Sequence, residues 1–189
     1  MHLILGINHL KKKKLKVAFT GPESSGKSSV SQAVAEHFDA QLFPEYAREY
    51  LTERSGKYDF SDIAKIGIEQ EKQRNELAEK GLKIYDTEAI VLYIWSTFKY
   101  QQCDQEILDL LANQDYQIYF LCSPKDIPWE EDPLREHPNE RAELFEIYLQ
   151  KLQEMKVNYV ILEGTLQERV KKSVELIEDL LLSKGGFCF

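Results

Sequence analysis

The chain has 189 residues, 43% of them hydrophobic and 30% charged, which suits one folded domain and excludes wholesale disorder. Acidic residues outnumber basic ones by 32 to 24, for a net charge of −8, the opposite of the balance that grips a nucleic-acid backbone. No uninterrupted apolar segment is long enough to span a bilayer, so neither nucleic acid nor membrane is an expected partner.

The apolar start, Met1 to Ile7, is followed rather than preceded by basic residues, which argues against a signal peptide. Cys103, Cys122 and Cys188 are odd in number and far apart, without metal-ligand spacing or a disulfide framework, and a cytoplasmic location is the default. Residues 1–15, with the basic run Lys11 to Lys14, fit no element and read as a flexible extension. A single domain is expected over 16–182, followed by a short tail, 183–189.

Lys16 to Thr20 is an apolar run halted by Gly-Pro, the pattern of a buried strand. From Lys27 to Phe38, Val30, Ala33, Val34 and Phe38 recur at helical intervals. Gln41 to Phe43 reads as a second strand, and Glu45 to Arg54 as a helix closed by Gly56. Ser61 or Asp62 caps the next helix, with Ile63, Ile66, Ile68 and Leu77 as its apolar positions up to Gly81. Leu82 to Tyr85 forms a third strand delivering Asp86-Thr87, before helices over Glu88 to Tyr100 and Asp104 to Asn113. Tyr116 to Cys122 is a fourth strand, and a polar, proline-marked segment covers Ser123 to Pro138. A helix from Glu140 to about Lys156, a strand over Asn158 to Leu162 and a helix over Leu166 to Leu182 complete the chain. Strands alternating with helices imply parallel pairing and right-handed crossovers, hence a three-layer α/β/α fold on five strands. Strand order is not legible from periodicity.

Between the first strand and helix, Gly21-Pro22-Glu23-Ser24-Ser25-Gly26-Lys27-Ser28 matches G-x-x-x-x-G-K-[ST], the loop that cradles nucleotide phosphates. Gly21 and Gly26 let backbone N–H groups turn inward, and the helix start adds its positive dipole end. Glu23, Ser24, Ser25 and Ser29 line the same cradle; Lys27 reaches the β- and γ-phosphates and Ser28 ligates Mg²⁺. Asp86, ending an apolar strand, is placed as the second metal residue, ahead of its alternative as a helix cap.

A guanine-specific switch protein carries Asn-Lys-x-Asp after a late strand, whereas this chain reads Leu121-Cys122-Ser123-Pro124-Lys125-Asp126. A small-molecule kinase fits better, because phosphoryl transfer to an alcohol must exclude water and needs a lid. The segment from Pro128 to Pro138 is that lid, with Arg135 and Arg141 as cations for the transferring phosphoryl group and Trp129 as a substrate contact. The acceptor belongs at Pro44 to Tyr50, where Tyr46 and Arg48 stand beside Glu45; either Glu45 or Asp86 orients the acceptor hydroxyl, with Glu45 preferred. On a plain amphipathic helix Glu45 and Glu49 would instead be an exposed pair.

Gly21 to Ser28, then Pro44-Glu45-Tyr46-Ala47-Arg48-Glu49-Tyr50, then Asp86-Thr87 followed by Trp95 and Phe98-Lys99-Tyr100, then Pro128 to Arg135, resemble the ribosylnicotinamide kinase domain of NadR-type bacterial NAD-biosynthesis proteins. The resemblance runs from about Lys16 to Glu178 with the motifs in the family's order. It implies ATP- and Mg²⁺-dependent phosphorylation of nicotinamide riboside at its 5′-hydroxyl, giving nicotinamide mononucleotide. The fused adenylyltransferase and DNA-binding domains of longer members are absent from this sequence. Glu88 stands where the family pattern leads one to expect aspartate, a departure that bears on substrate placement if position 88 touches the substrate. The cationic pyridinium ring suits aromatic neighbours, with Trp95, Tyr46, Tyr50 and Tyr100 as candidates. Two other readings remain: a nucleotide-dependent switch or binding module, and a kinase of another nucleoside or a nucleoside monophosphate.

Overall fold

The computed structural model describes residues 14–76 and 81–183. The chain runs β1 (Leu15–Thr20), α1 (Lys27–Phe38), β2 (Gln41–Phe43), α2 (Tyr46–Glu53), α3 (Phe60–Glu76), β3 (Leu82–Asp86) and α4 (Ala89–Tyr100). It continues through α5 (Gln105–Ala112), β4 (Ile118–Cys122), α6 (Arg141–Met155), β5 (Tyr159–Leu162) and α7 (Leu166–Leu182). The five strands are all parallel, in the order β2-β3-β1-β4-β5. Lys11 to Lys13, Leu77, Cys188 and most of the C-terminal tail lie outside the described residues.

Alternation along the strands divides the core. Leu15, Val17 and Phe19 face α1 and α7 together with Ile84, Ile118 and Phe120. Ala18, Tyr85, Tyr119 and Leu121 face the opposite way, against α4 and α6. Both faces are therefore apolar, as in a parallel sheet covered on two sides. A third cluster joins α2 and α3 to α4 through Ala47, Leu51, Ile63, Ile66 and Leu92. The sheet order places β1 at the centre, and the chain crosses from one side of it to the other between β3 and β4. In such sheets the ligand crevice opens beyond the carboxyl ends of the strands at this crossing. Register sets Phe19 opposite Asp86, so the loop leaving β1 and the acid ending β3 emerge side by side.

The expected elements form, with shifted ends. Leu15 belongs to β1 and is buried, one residue before the expected start. Tyr116 and Gln117 precede β4 rather than joining it: Gln117 N–H donates to the Lys16 carbonyl at 2.9 Å, but Lys16 N–H turns to the Gln117 side chain at 2.7 Å. Helix α3 begins at Phe60, earlier than a Ser61 or Asp62 cap would allow. Asp59 and Asp62 bond reciprocally there, Asp62 N–H donating to the Asp59 carbonyl and Asp59 N–H to the Asp62 carboxylate, while Ser61 N–H donates to the Asp59 side chain. Ile68 is 45% exposed, because five residues beyond Ile63 lies about 140° round the helix. Cys122 is a buried core residue and Cys103 is half-buried.

Candidate active site

The loop after β1 needs backbone that only glycine supplies. Gly21 has φ +131°, and a Cβ there would stand 2.7 Å from the Cys122 carbonyl oxygen. Gly21→Ala is expected to destabilise the fold by about 1–3 kcal/mol, read as a lowered denaturant midpoint, because the clashing atom is backbone and cannot swing away. Gly26, at φ +80°, turns the chain into α1 without a side-chain cap, leaving the first N–H groups of the helix facing the loop. Lys27 closes the ring, its Nζ donating to the carbonyls of Gly21 and Pro22 at 2.8 Å each.

Asp86 is 5% exposed, and its Oδ1 is buried with no protein partner. Burial raises its pKa; the nearby Ser28 hydroxyl and the charges of Lys27, Arg48 and Arg74 oppose that shift. The helix-cap alternative for Asp86 belongs instead to Glu88, whose Oε2 accepts Ile90 N–H at 2.7 Å at the start of α4. Thr87 between them is held at φ +84°, an unusual conformation for a β-branched residue, with Arg74 donating to its carbonyl at 2.6 Å.

A cleft of about 310 Å³ runs from this loop towards α2 and α4. Glu45 lines it. It is the N-cap position of α2, yet its side chain makes no capping bond and stays free for the cleft. Its pKa is raised by burial first, with Lys27 opposing and Asp86 adding to the rise. Glu49 faces solvent, so the exposed-pair alternative does not describe Glu45. The far wall brings together Tyr58, Trp95 and Phe98, with Leu51, Ile94 and Tyr148 around them. Trp95 Nε1 donates to the Tyr58 hydroxyl at 2.9 Å, and burial pushes the Tyr58 phenol up to about 12.

The segment between β4 and α6 lies across the loop. Glu23 Oε2 accepts the backbone N–H groups of Glu136 and His137 at 3.0 and 3.1 Å. Arg135 donates to Ser24 Oγ at 2.7 Å and Arg141 to the Ser24 carbonyl at 3.0 Å. A second clasp joins the segment to the aromatic wall: Lys99 Nζ donates to Glu136 at 2.8 Å and to Tyr58 at 2.6 Å, and Tyr58 donates to Glu136 at 2.9 Å. Arg48 pairs with Asp132 at 2.8 Å, and Arg135 also meets Glu130 at 3.2 Å.

The structure thus gathers Gly21 to Ser29, Glu45, Arg48, Trp95 and Arg135 around one cleft, with Asp86 just beneath it. It does not bring every expected residue there. Trp129 lies away from the cleft with the Arg141 guanidinium 5.8 Å from its ring centre, and the Glu23 carboxylate is turned to the covering segment. Tyr46 packs edge-on against Tyr50, Tyr50 bonds Asp62, and Tyr100 packs against Phe60. Glu88 is fully buried, bonded to Gln114 and Ile90, and does not line the cleft. Tyr58, Glu136 and Arg169 are additions that periodicity and motif do not single out. Only Arg169 leaves a trace in the sequence, as an arginine among Val170, Ser173 and Ile177 on the buried stripe of α7.

Among solved structures, the chain is similar to a NadR protein in complex with NAD and AMP-PNP (TM-score 0.71, 20% identity, covering 96% of this chain and 53% of that one). It is similar also to a NadR protein in complex with NR (0.70, 20%, 97% and 55%). A third likeness is to deoxyadenosine kinase from M. mycoides with products bound (0.58, 14%, 87% and 100%). The chain spans about half the length of the NadR structures it matches. At these identities the likeness establishes a P-loop kinase fold. A search of the curated proteins finds no match. A family model described as an AAA domain matches residues 16–169, from the first strand through the phosphate loop to the start of α7, and the chain belongs to that family.

Proposed function

We propose that this chain is an ATP- and Mg²⁺-dependent kinase that phosphorylates nicotinamide riboside at its 5′-hydroxyl, giving nicotinamide mononucleotide. The observation that carries the reading is the single cleft joining the phosphate loop to Glu45 and to an aromatic, acidic wall under a docked cover. The two NadR structures, one with AMP-PNP and one with NR, share the fold over nearly all of this chain.

The residues present fit the metal. Asp86 Oδ1 is a buried carboxylate oxygen without a partner, and the Ser28 hydroxyl is near enough to favour its ionised form. Ser28 and Asp86 would hold Mg²⁺, which supplies neutralisation of charge on the β- and γ-phosphates when bound. Lys27 leaves the Gly21 and Pro22 carbonyls for the phosphates, beside the amides of Glu23 to Ser29. Arg135, released from Ser24 Oγ, would face the equatorial oxygens in transfer, while Arg141 holds the Ser24 carbonyl.

Glu45 accepts the 5′-hydroxyl proton as the acceptor oxygen bonds to the γ-phosphorus. The bond from that phosphorus to the β,γ-bridging oxygen breaks, and ADP leaves with the electron pair. Positioning and water exclusion carry most of the rate, because phosphoryl transfer makes little demand for a strong base. The riboside's cationic ring finds Glu45 and Glu136 together with Tyr58, Trp95 and Phe98 in the cleft, where cation–π attraction is worth about 0.5–2 kcal/mol. An anionic acceptor would call for arginines beyond the one assigned to the transferring phosphoryl group, and Arg48 is paired with Asp132. In this reading the kinase domain is residues 16–182, a cytoplasmic enzyme acting on a small molecule rather than on nucleic acid or membrane.

The test is ADP release with Mg·ATP in the presence and absence of nicotinamide riboside, other nucleosides and nucleoside monophosphates. The expected result is stimulation by the riboside of at least about 10²-fold, with nicotinamide mononucleotide as product. Stimulation by another nucleoside would keep the kinase and change its acceptor. Tight nucleotide binding with no response to any acceptor would favour a switch module instead.

A further inference from the structure

Arg169 is among the most deeply buried side chains of the fold, at 1% exposure. Its guanidinium meets only neutral carbonyls: Nε donates to Gly164 at 2.8 Å, one terminal nitrogen to Ser25 at 2.8 Å and the other to Ser123 at 2.9 Å. None of the ion pairs among the described residues includes it. The nearest acid in sequence, Glu168, is spent on the capping box with Thr165 at the start of α7. A buried charge without a counter-charge is costly, and the fold retains this one directly behind the phosphate loop.

We infer that Arg169 is a positioning residue of the phosphate cradle, and that its missing counter-charge is the triphosphate of the nucleotide. Two effects follow from one side chain. In a planar trans peptide the carbonyl of one residue and the N–H of the next point in opposite directions. By drawing the Ser25 carbonyl backwards, Arg169 turns the Gly26 N–H towards the cleft. Arg141 does the same one residue earlier, holding the Ser24 carbonyl and so directing the Ser25 N–H. The second effect is charge. Arg169 comes within 3.9 Å of where a Cβ on Gly26 would lie, so its field acts through the loop with little solvent to screen it. The inference rests on the nucleotide site of the proposed function, and it leaves the acceptor and its chemistry untouched.

The test compares R169Q with R169K, both able to hydrogen-bond carbonyls and only the second charged. Affinities for ATP and for adenosine are measured by calorimetry or competition, with circular dichroism to establish that each variant is folded. R169Q is expected to lose about thirtyfold in ATP affinity and less than about threefold for adenosine, while R169K stays within about fivefold of wild type for ATP. A merely structural brace would impair the two variants alike, or weaken ATP and adenosine alike, and either result overturns the inference. Should R169Q not fold, R169K decides: a ratio of ATP to adenosine affinity near that of wild type supports the inference, and its collapse overturns it. Failure of the wild-type chain to bind ATP would overturn the nucleotide site itself. Normal wild-type binding with an unaffected R169Q removes Arg169 alone.

Discussion

Glu45→Gln is expected to lower acceptor-dependent ADP release by about 10²-fold while leaving ATP affinity within about twofold of wild type. Glutamine fills the same space at the head of α2 and disturbs no cap, because the Glu45 side chain makes no capping bond. What it loses is the capacity to take a proton. A fall in kcat with an unchanged KM for ATP would place Glu45 at the acceptor hydroxyl; unchanged turnover would remove it from the mechanism. Burial raises the Glu45 pKa above the ordinary carboxylate range, against the pull of Lys27. Turnover by the wild type should therefore rise with pH through that raised value and then level off. E45Q should lack this acidic limb.

The same shift has a stability sign. A carboxyl whose folded pKa is raised favours the fold while protonated, and that advantage is lost as pH rises through the folded pKa. Ionising Glu45 in the fold desolvates a charge, a cost that E45Q does not carry. The unfolding temperature of E45Q should exceed that of wild type at pH 8 and match it below about pH 4, where the unfolded glutamate is also protonated. A loss of activity accompanied by a gain in stability would mark a residue kept for chemistry rather than for the fold.

How much of this site was readable before the structure depends on the range of the interactions involved. The phosphate loop was legible because its requirements are local: glycine where Gly21 and Gly26 take positive φ, then lysine and serine at a helix start. The strands and helices were legible, apart from their ends, from short apolar runs and helical spacing, and the parallel sheet followed from their alternation. The strand order was not, because it is fixed by pairings such as Val17 with Ile118, 101 residues apart. The aromatic wall was half legible. Trp95 reaches the cleft, but Tyr46, Tyr50 and Tyr100 are taken by packing between α2, α3 and α4, and Tyr58 comes from a loop with no periodicity. Position 88, the point at which the sequence leaves the family pattern, lies in the interior as a helix cap. In this fold the longer side chain is accommodated by Gln114 and the start of α4 rather than by the cleft.

Asp86→Asn should separate nucleotide binding from the use of metal. The side chain is enclosed and its Oδ1 lacks any protein partner, an arrangement that costs stability unless a cation is part of the working site. Asparagine keeps the shape and offers an N–H₂ group in place of one oxygen. Helix α4 should be unaffected, since Glu88 rather than Asp86 caps it. Without metal, ATP affinity of D86N should equal or exceed that of wild type, because a carboxylate near the phosphates has been removed. With Mg²⁺ the wild type should gain affinity and D86N should not, and acceptor-dependent turnover should fall by about 10²–10³-fold. The measurement is ATP binding with Mg²⁺ and with EDTA for both proteins, alongside turnover. Equal gains from Mg²⁺ would mean that Asp86 is only a buried acid at the end of β3. Its raised pKa predicts a stability increase in D86N at neutral pH under either outcome, so stability alone does not discriminate, and the metal dependence of binding does.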